Sequence, residues 1–530
     1  MHELIAASAD AGPERVALYQ GDRRASYGEL AESVSGVANG LAGLGLRRQD
    51  RVAVFLPKSV ETVAAMFGTS LAGGVFVPVN PVLKAAQVGH ILRDSGAGVL
   101  ITAAGRAEAL RTVLPECPEL EHVVLVDAGG ASQASGAATI TRWPDLLDAP
   151  QAPRRRAVID ADIAAILYTS GSTGKPKGVV LSHRNMVAGA ESVAAYLGNR
   201  EDDRLLAVLP FSFDYGFSQL STAFLTGASV ALIEYLLPRD ILRALERYEI
   251  TGLAAVPPLW IQLAALDWPA GAASTLRYIT NSGGAMPQAT LAKLREKLPR
   301  TDVFLMYGLT EAFRSTYLPP NQVDVRPTSM GKAIPNAEVM VAKPDGSLCA
   351  AGEPGELVHR GVLVSLGYWN DAEKTAIRFR PAPGQPAELP LPELAVWSGD
   401  TVVMDEEGYL YFVGRRDEMI KTSGYRVSPT EIEEAVYSTG LVAEAIALGV
   451  PHPVLGKAIV VVGVVNRAAG ARDDEPPTEA LLAECRRALA NYMVPQHIEW
   501  RESLPRNANG KIDRPAIAAS LERLFTEVEA

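Results

Sequence analysis

The sequence predicts an α/β protein, with a large N-terminal domain of mostly parallel sheets and helices followed by a small α+β C-terminal domain. Three observations predict it. Short apolar runs of strand length alternate with stretches of helical apolar spacing over most of the chain. At 530 residues the chain is too long for one ordinary core. Near Gly414 to Asp417 the alternation stops, and a new helix signal at Ser428-Pro429-Thr430-Glu431, followed by the apolar run Ala458 to Val465, marks a second and smaller unit.

Arg51 to Phe55 and Val75 to Val79 read as buried strands, and Val60 to Leu71 between them has helical spacing, so the opening region is a βαβ unit. A βαβ unit implies parallel pairing. Ile163 to Leu167 reads as a further buried strand that leads into a glycine-rich loop, after which Val179-Val180-Leu181 is apolar again. Leu205 to Leu209, Ser229 to Ile233, Gly252 to Val256, Tyr278 to Asn281 and Val303 to Met306 then alternate with helical stretches, Phe217 to Leu225 among them. The proline-rich segment from Phe379 to Pro392 reads as an irregular surface loop. No fixed-period repeat or sustained heptad is present, which excludes solenoids and coiled coils.

Composition narrows the function classes. A net charge of −11 argues against general binding of nucleic acid or of anionic lipid, and the isolated Arg154-Arg155-Arg156 reads as a solvated linker. Cys117, Cys349 and Cys485 are too scattered for a disulfide framework or a zinc site, and read as core residues of a protein in a reducing cytoplasm. There is no basic n-region with a long apolar stretch at the N-terminus, and no run long enough to span a membrane.

The chemistry is concentrated in the run Tyr168-Thr169-Ser170-Gly171-Ser172-Thr173-Gly174-Lys175-Pro176-Lys177-Gly178. Glycines let backbone N–H groups approach an anion, hydroxyls donate further bonds, and two lysines add positive charge, so the loop suits polyphosphate and ATP in particular. The spacing of Gly171 and Gly174, with Pro176 after Lys175, is not that of a P-loop NTPase. A plain flexible linker would not carry paired lysines between two apolar segments.

With this loop, the tracts Tyr307-Gly308-Leu309-Thr310-Glu311-Ala312, Ser398-Gly399-Asp400, Gly414-Arg415-Arg416-Asp417, Gly424-Tyr425-Arg426-Val427-Ser428-Pro429 and Asn509-Gly510-Lys511-Ile512-Asp513-Arg514 occur in order. In this the chain resembles the adenylate-forming superfamily of acyl-CoA synthetases, firefly luciferase and nonribosomal peptide synthetase adenylation domains. The wording of Leu209 to Gly216 and of Gly308 to Pro320 is similar to acyl-CoA ligases associated with exosortase A gene clusters.

The resemblance implies residues 1–414 as the adenylation domain, 415–417 as a hinge pivoting on Asp417, and 418–530 as a mobile lid. It implies that Thr169, Ser170, Gly171, Ser172, Thr173, Gly174, Lys175 and Lys177 cradle the phosphates. Thr310 would contact the α-phosphate and Glu311 would hold Mg²⁺. Asp400 would accept from the ribose hydroxyls, with Arg415 beside it, while Tyr307, Gly308 and the Gly283-Gly284-Ala285 turn would lie at the nucleotide. Lys511 would bridge carboxylate and α-phosphate as the main catalytic cation. Gly424, Tyr425 and Arg426 would line a pantetheine tunnel after lid rotation. For three of these residues a purely local reading stands beside the implied one: Glu311 as a helix-opening charge, Asp400 and Lys511 as turn residues.

The acyl pocket departs from the usual pattern. Phe213 stands where many acyl-CoA synthetases have histidine, and Asp214 aligns with the aspartate that amino-acid adenylation domains use for the substrate ammonium. Asp214 reads equally as the cap of the helix that follows. Phe213, Tyr215 and Trp260 are either pocket walls or core, and Met306 is a candidate pocket residue. The expected reaction is ATP-driven activation of a small-molecule carboxylic acid as an acyl-adenylate, then transfer to coenzyme A or to a phosphopantetheinyl carrier protein. The alternatives are a free-standing amino-acid adenylating enzyme and, more remotely, an inactive ATP-binding module.

Overall fold

The computed structural model describes residues 1–127, 138–150, 158–169, 176–386, 388–415, 419–422, 425–452, 455–467, 476–489, 491–507 and 510–525. Among them, strands form three hydrogen-bonded sheets of 14, 7 and 5 members. The opening βαβ unit belongs to the seven-stranded sheet. Arg51–Phe55 and Val75–Pro78 pair in parallel with Val52 opposite Phe76, joined by the helix Val60–Leu71, whose N-cap Ser59 accepts from the Thr62 N–H. That helix has Val63, Ala64, Ala65, Met66 and Phe67 all buried, because it lies in the core rather than over one sheet face.

The strand Ile163–Thr169 runs parallel to Val75–Pro78 and antiparallel to Lys177–Ser182, with Thr169 directly opposite Lys177. The residues on either side of the glycine-rich run, Thr169 and Lys177, are therefore brought face to face. In the 14-stranded sheet Arg204–Ala207, Gly252–Ala255, Tyr278–Asn281 and Asp302–Tyr307 lie side by side in parallel, so their carboxyl ends share one edge. The sheet continues through antiparallel strands that include Thr316–Leu318, Gly355–Gly361, Leu394–Met404 and Leu410–Arg415. Phe76 and Phe67 stack on Phe217 at 5.4 and 6.0 Å, and Phe224 meets Phe67 edge-on at 5.3 Å, tying the seven-stranded sheet to the helix Asp214–Thr226.

In the C-terminal part, Pro429 occupies the first position of the helix Pro429–Ser438, as Pro prefers. The strand Gly456–Val465 is central to the five-stranded sheet. Its alternation splits the small core in two: Ile459 and Val461 pack with Ile432, Leu481 and Cys485, while Val460 and Val462 pack with Leu448 and Ile517.

Several expectations need correction. Asp214 does not cap its helix: it is the first helical residue, Phe213 holds the N-cap position, and no side-chain cap bond forms. Asp400 is no turn residue but lies within the strand Leu394–Met404. Phe379–Pro381 is a short strand paired with that same strand, so the proline-rich loop begins after it. Cys117 and Cys485 are buried, but Cys349 is only half-buried, at a strand end beside Gly355. Trp260 is core, its indole N–H donating to the Ala255 and Thr280 carbonyls. Arg154 to Arg156 lie outside the described residues. No helix among those described is long and apolar enough to cross a membrane.

Candidate active site

The carboxyl ends of the parallel strands Tyr278–Asn281 and Asp302–Tyr307 release the two turns that build the site, at the edge where α/β sheets receive ligands. The first turn is Ser282-Gly283-Gly284-Ala285. Gly283 has φ +81, and a Cβ there would stand 2.9 Å from Lys511 Cε and 3.3 Å from its Nζ. Lys511 thus reaches from the C-terminal part onto a glycine of the large part. Its Nζ also lies 5.2 Å from the Phe213 ring centroid.

A tight turn presents this lysine. The Asn507 N–H donates to the Lys511 carbonyl at 2.7 Å, the Lys511 N–H donates to Asn507 Oδ1 at 3.1 Å, and Gly510 takes φ +78. Arg506, bonded to the Gly510 carbonyl, is itself ion-paired with Glu444. A cavity of about 240 Å³ opens beside this turn, lined by Phe211, Ser212, Val256, Leu259, Arg506 and Gly510 among others.

The second turn, Thr310–Ala312, is a single 3₁₀ turn that holds Glu311 buried. Glu311 Oε1 accepts from the Tyr368 hydroxyl at 2.5 Å and from Lys177 Nζ at 3.2 Å, and Lys177 also donates to the Tyr368 hydroxyl at 2.8 Å. Burial pushes the Glu311 carboxyl upward, but the Lys177 charge and the Tyr368 bond outweigh it and hold the group below the usual glutamate range. The helix-opening role expected as the local alternative does not apply, because the single 3₁₀ turn leads into no helix.

Beyond this pair, the Tyr307 hydroxyl donates to Asp400 Oδ2 at 2.5 Å, and the Asp400 N–H donates to Ser398 Oγ. Gly399, at φ +74, leaves room for Arg378, whose Nη1 would lie 2.6 Å from a Cβ at that position. Burial opposes the Arg378 charge, yet the Tyr368 hydroxyl and the charges of Glu311 and Asp400 raise its pKa above the ordinary value.

Behind Thr310 lies a buried ion pair. Arg314 Nη1 stands 3.1 Å from Asp214 Oδ2, Thr310 Oγ1 donates to Asp214 Oδ1 at 3.2 Å, and Arg314 Nη2 donates to Ser218 Oγ at 3.0 Å. Both charged side chains are almost fully buried, and the guanidinium stacks 4.5 Å over the Tyr215 ring. Burial raises the Asp214 pKa, with the Arg314 and Lys511 charges opposing it in that order. The chain enters this arrangement through Phe313 at φ +56, an uncommon conformation for a bulky residue.

The structure thus gathers Thr169, Lys177, Phe213, Asp214, Gly283, Gly284, Ala285, Met306, Tyr307, Gly308, Thr310, Glu311, Asp400 and Lys511 around the strand ends. Met306 is buried with the Tyr196 hydroxyl 3.0 Å from its sulfur. Ser170, Gly171, Ser172, Thr173, Gly174, Lys175, Asp417 and Gly424 lie outside the described residues. Arg415 is described by its backbone, opposite Asp400 in the ladder, and Tyr425 and Arg426 by theirs, in the strand Tyr425–Val427. Sequence reasoning missed Arg314, Tyr368 and Arg378, none of which carries a local signal.

These residues fit a nucleotide and a hard cation. Thr169 Oγ1 and Asn281 Oδ1, buried at strand ends, have no hydrogen-bond partner among the described residues. Among those residues no group of three or more His, Cys, Asp or Glu could hold a metal alone. Glu311 by itself suits Mg²⁺ that arrives with phosphate oxygens and water as its other ligands.

Comparison with known proteins identifies the family. The pattern of the AMP-binding enzyme family matches residues 5–369, and that of the AMP-binding enzyme C-terminal domain matches residues 431–511. A long-chain-fatty-acid–CoA ligase of Salmonella typhimurium is 32% identical over 507 residues, covering 89% of this chain and 85% of the relative. The Mycobacterium tuberculosis 3-[(3aS,4S,7aS)-7a-methyl-1,5-dioxo-octahydro-1H-inden-4-yl]propanoyl:CoA ligase is 32% identical, covering 95% of this chain and 96% of the relative. The crystal structure of an anthranilate CoA ligase in complex with anthranoyl-AMP superposes with a TM-score of 0.87 at 26% identity, covering 99% and 98% of the two chains.

Proposed function

The chain belongs to the AMP-binding enzyme family, and on that premise we propose an AMP-forming acid–thiol ligase that joins a carboxylic acid to AMP and passes the acyl group to coenzyme A. The observation that carries the reading is the seat of Lys511 against Gly283 and beside Phe213, which brings a cation of the C-terminal part to the nucleotide turn of the large part. Attack of a carboxylate on the α-phosphate brings two anions together, so the barrier is lowered by positive charge fixed before the reaction begins. In this reading Lys511 neutralises the entering carboxylate, and Thr310 contacts the α-phosphate once its hydroxyl turns away from Asp214. Lys177, with the glycine-rich run before it, would draw off charge on the departing pyrophosphate. Mg²⁺, held by Glu311, would neutralise phosphate oxygens. Asp400, oriented by Tyr307, would accept from the ribose.

The acyl-adenylate is itself the activated species, so no protein nucleophile is needed. In our reading the lid, residues 418–530, then pivots at Asp417, withdraws Lys511 and brings Gly424, Tyr425 and Arg426 toward the thiol. Coenzyme A rather than a carrier protein is the proposed acceptor, in line with the CoA-ligase relatives. The wording of residues 209–216 and 308–320 supports placement beside the exosortase-associated ligases, and the three scattered cysteines support a place in the cytoplasm.

The amino-acid reading loses its motive. Asp214 already has Arg314 as its counter-charge and Thr310 as a donor, so it does not offer an unmatched carboxylate to a substrate ammonium. The test is ATP–pyrophosphate exchange with fatty, aryl and amino acids, followed by thioester formation with coenzyme A. Lys511→Ala should lower exchange by about 10²–10³-fold while the protein stays folded. Exchange with amino acids alone, or full activity in that variant, contradicts the assignment.

A further inference from the structure

Glu311, Lys177 and Tyr368 form a closed triangle in which a single carboxylate oxygen, Oε1, receives both a tyrosine hydroxyl and a lysine ammonium. The ammonium also lies 4.1 Å from the Tyr368 ring centroid. A divalent cation held by that oxygen would share the carboxylate with a positive charge already bound there. Two positive charges on one buried oxygen repel, so the binding of either weakens that of the other. In the absence of nucleotide Lys177 has no phosphate to move toward.

Tyr368 is tied by its backbone to both partners. The Leu366 N–H donates to the Val180 carbonyl, the Val180 N–H to the Gly367 carbonyl and the Trp369 N–H to the Gly178 carbonyl, which fastens this segment along the strand that begins at Lys177. Three residues earlier the Ser365 N–H donates to the Glu311 carbonyl at 2.8 Å. The Tyr368 N–H is held by Thr375 Oγ1 at 2.9 Å, and its ring packs edge-on against Phe379. The hydroxyl is therefore fixed with respect to the lysine and the carboxylate at once. It can keep donating to Glu311 after Lys177 departs.

We propose that Tyr368 is the positioning residue on which Lys177 and the divalent cation exchange places at Glu311, so that the metal enters this site only together with the nucleotide. Lys177 is the placeholder in the free enzyme. When the nucleotide arrives with its metal, phosphate oxygens give Lys177 a new anionic partner, the metal takes Glu311, and the Tyr368 hydroxyl holds the carboxylate in place through the change. This rests on the assignment of Glu311 to the metal made above.

The experiment uses Mn²⁺ as the probe on the full-length chain, followed by its paramagnetic resonance signal with and without ATP. Wild type should bind Mn²⁺ only weakly at this site without ATP. Lys177→Met should create nucleotide-independent binding at least about tenfold tighter than in wild type, and the added substitution Glu311→Gln should remove it. Tyr368→Phe should weaken Mn²⁺ binding in the presence of ATP about 5–20-fold while metal-free ATP affinity stays within about twofold, a split that a merely structural role would not produce. The proposal is overturned if Lys177→Met binds Mn²⁺ without ATP no better than wild type, or if Tyr368→Phe weakens metal and ATP equally. If Glu311→Gln alone leaves ATP-dependent Mn²⁺ binding unchanged, the metal assignment itself fails, and that result is distinct from the other two.

Discussion

Asp214 shows what one buried carboxylate does when its partner lies a hundred positions away. Its sequence context permits a cap or an ammonium anchor, and the structure gives neither. Arg314 has no motif of its own, and its burial depends on the Phe313 backbone, so nothing near Asp214 announces the pair. Taking a charge pair out of water is costly and is recovered only while both members are present. Arg314→Met should therefore destabilise the fold by about 3–5 kcal/mol in urea denaturation, since it leaves Asp214 buried and unpaired. Asp214→Ala in the same chain should restore part of that loss, and a double variant no more stable than Arg314→Met would contradict the pairing. By contrast, Lys511 and Glu311 stood out only through the family resemblance, since read locally each was a turn residue or a helix-opening charge.

At the scale of elements, the runs Arg51–Phe55, Val60–Leu71 and Tyr278–Asn281 form where apolar periodicity places them. What periodicity could not give is how distant elements meet. The glycine in the middle of the helix His183–Leu197 reads as a helix weakness, yet a Cβ at Gly189 would stand 2.5 Å from Phe313 Cδ1. This helix is cut away to admit the ring that turns the chain toward Arg314. Gly189→Ala should lower stability by about 1–3 kcal/mol despite the better helix propensity of alanine, and should slow pyrophosphate exchange as well. A stabilised variant would refute the contact. The strand Gly355–Gly361 carries a second long-range pairing, His359 Nδ1 with Ser315 Oγ at 2.8 Å. Burial lowers the His359 pKa from 6.5 to about 4. Between those values the unfolded chain takes up the proton and the folded one does not, so stability is complete above the unfolded pKa and falls as pH drops through this window. From this residue the fold should be about 2 kcal/mol less stable at pH 5 than at pH 7. His359→Gln should flatten that part of the pH profile of urea midpoints.

Across the whole molecule, two units that the sequence separates at a change of pattern meet through Lys511 at Gly283. The separation was legible because a fresh helix start and a new strand pattern follow it. The meeting was not, because it depends on how the units dock, and only the family resemblance spoke to that. If this docking serves acyl-adenylate formation, a change in the large part should act through the lysine of the small one. Gly283→Ala puts a methyl 2.9 Å from Lys511 Cε and forces alanine to φ +81, so either the lysine or the turn must move. Adenylate formation should slow by about 10–10²-fold, since a displacement near 1 Å at a charge-bridging group has that order of effect. Transfer of a chemically supplied acyl-adenylate to coenzyme A does not call on Lys511 in its docked position and should stay within about twofold. Gly284→Ala, where the nearest contact is a proline side-chain carbon at 3.1 Å and φ is ordinary, is the matched comparison. Equal loss in both half-reactions would mean that the turn, and not the docked lysine, was disturbed. Loss in the first alone ties the two units to one step of the reaction.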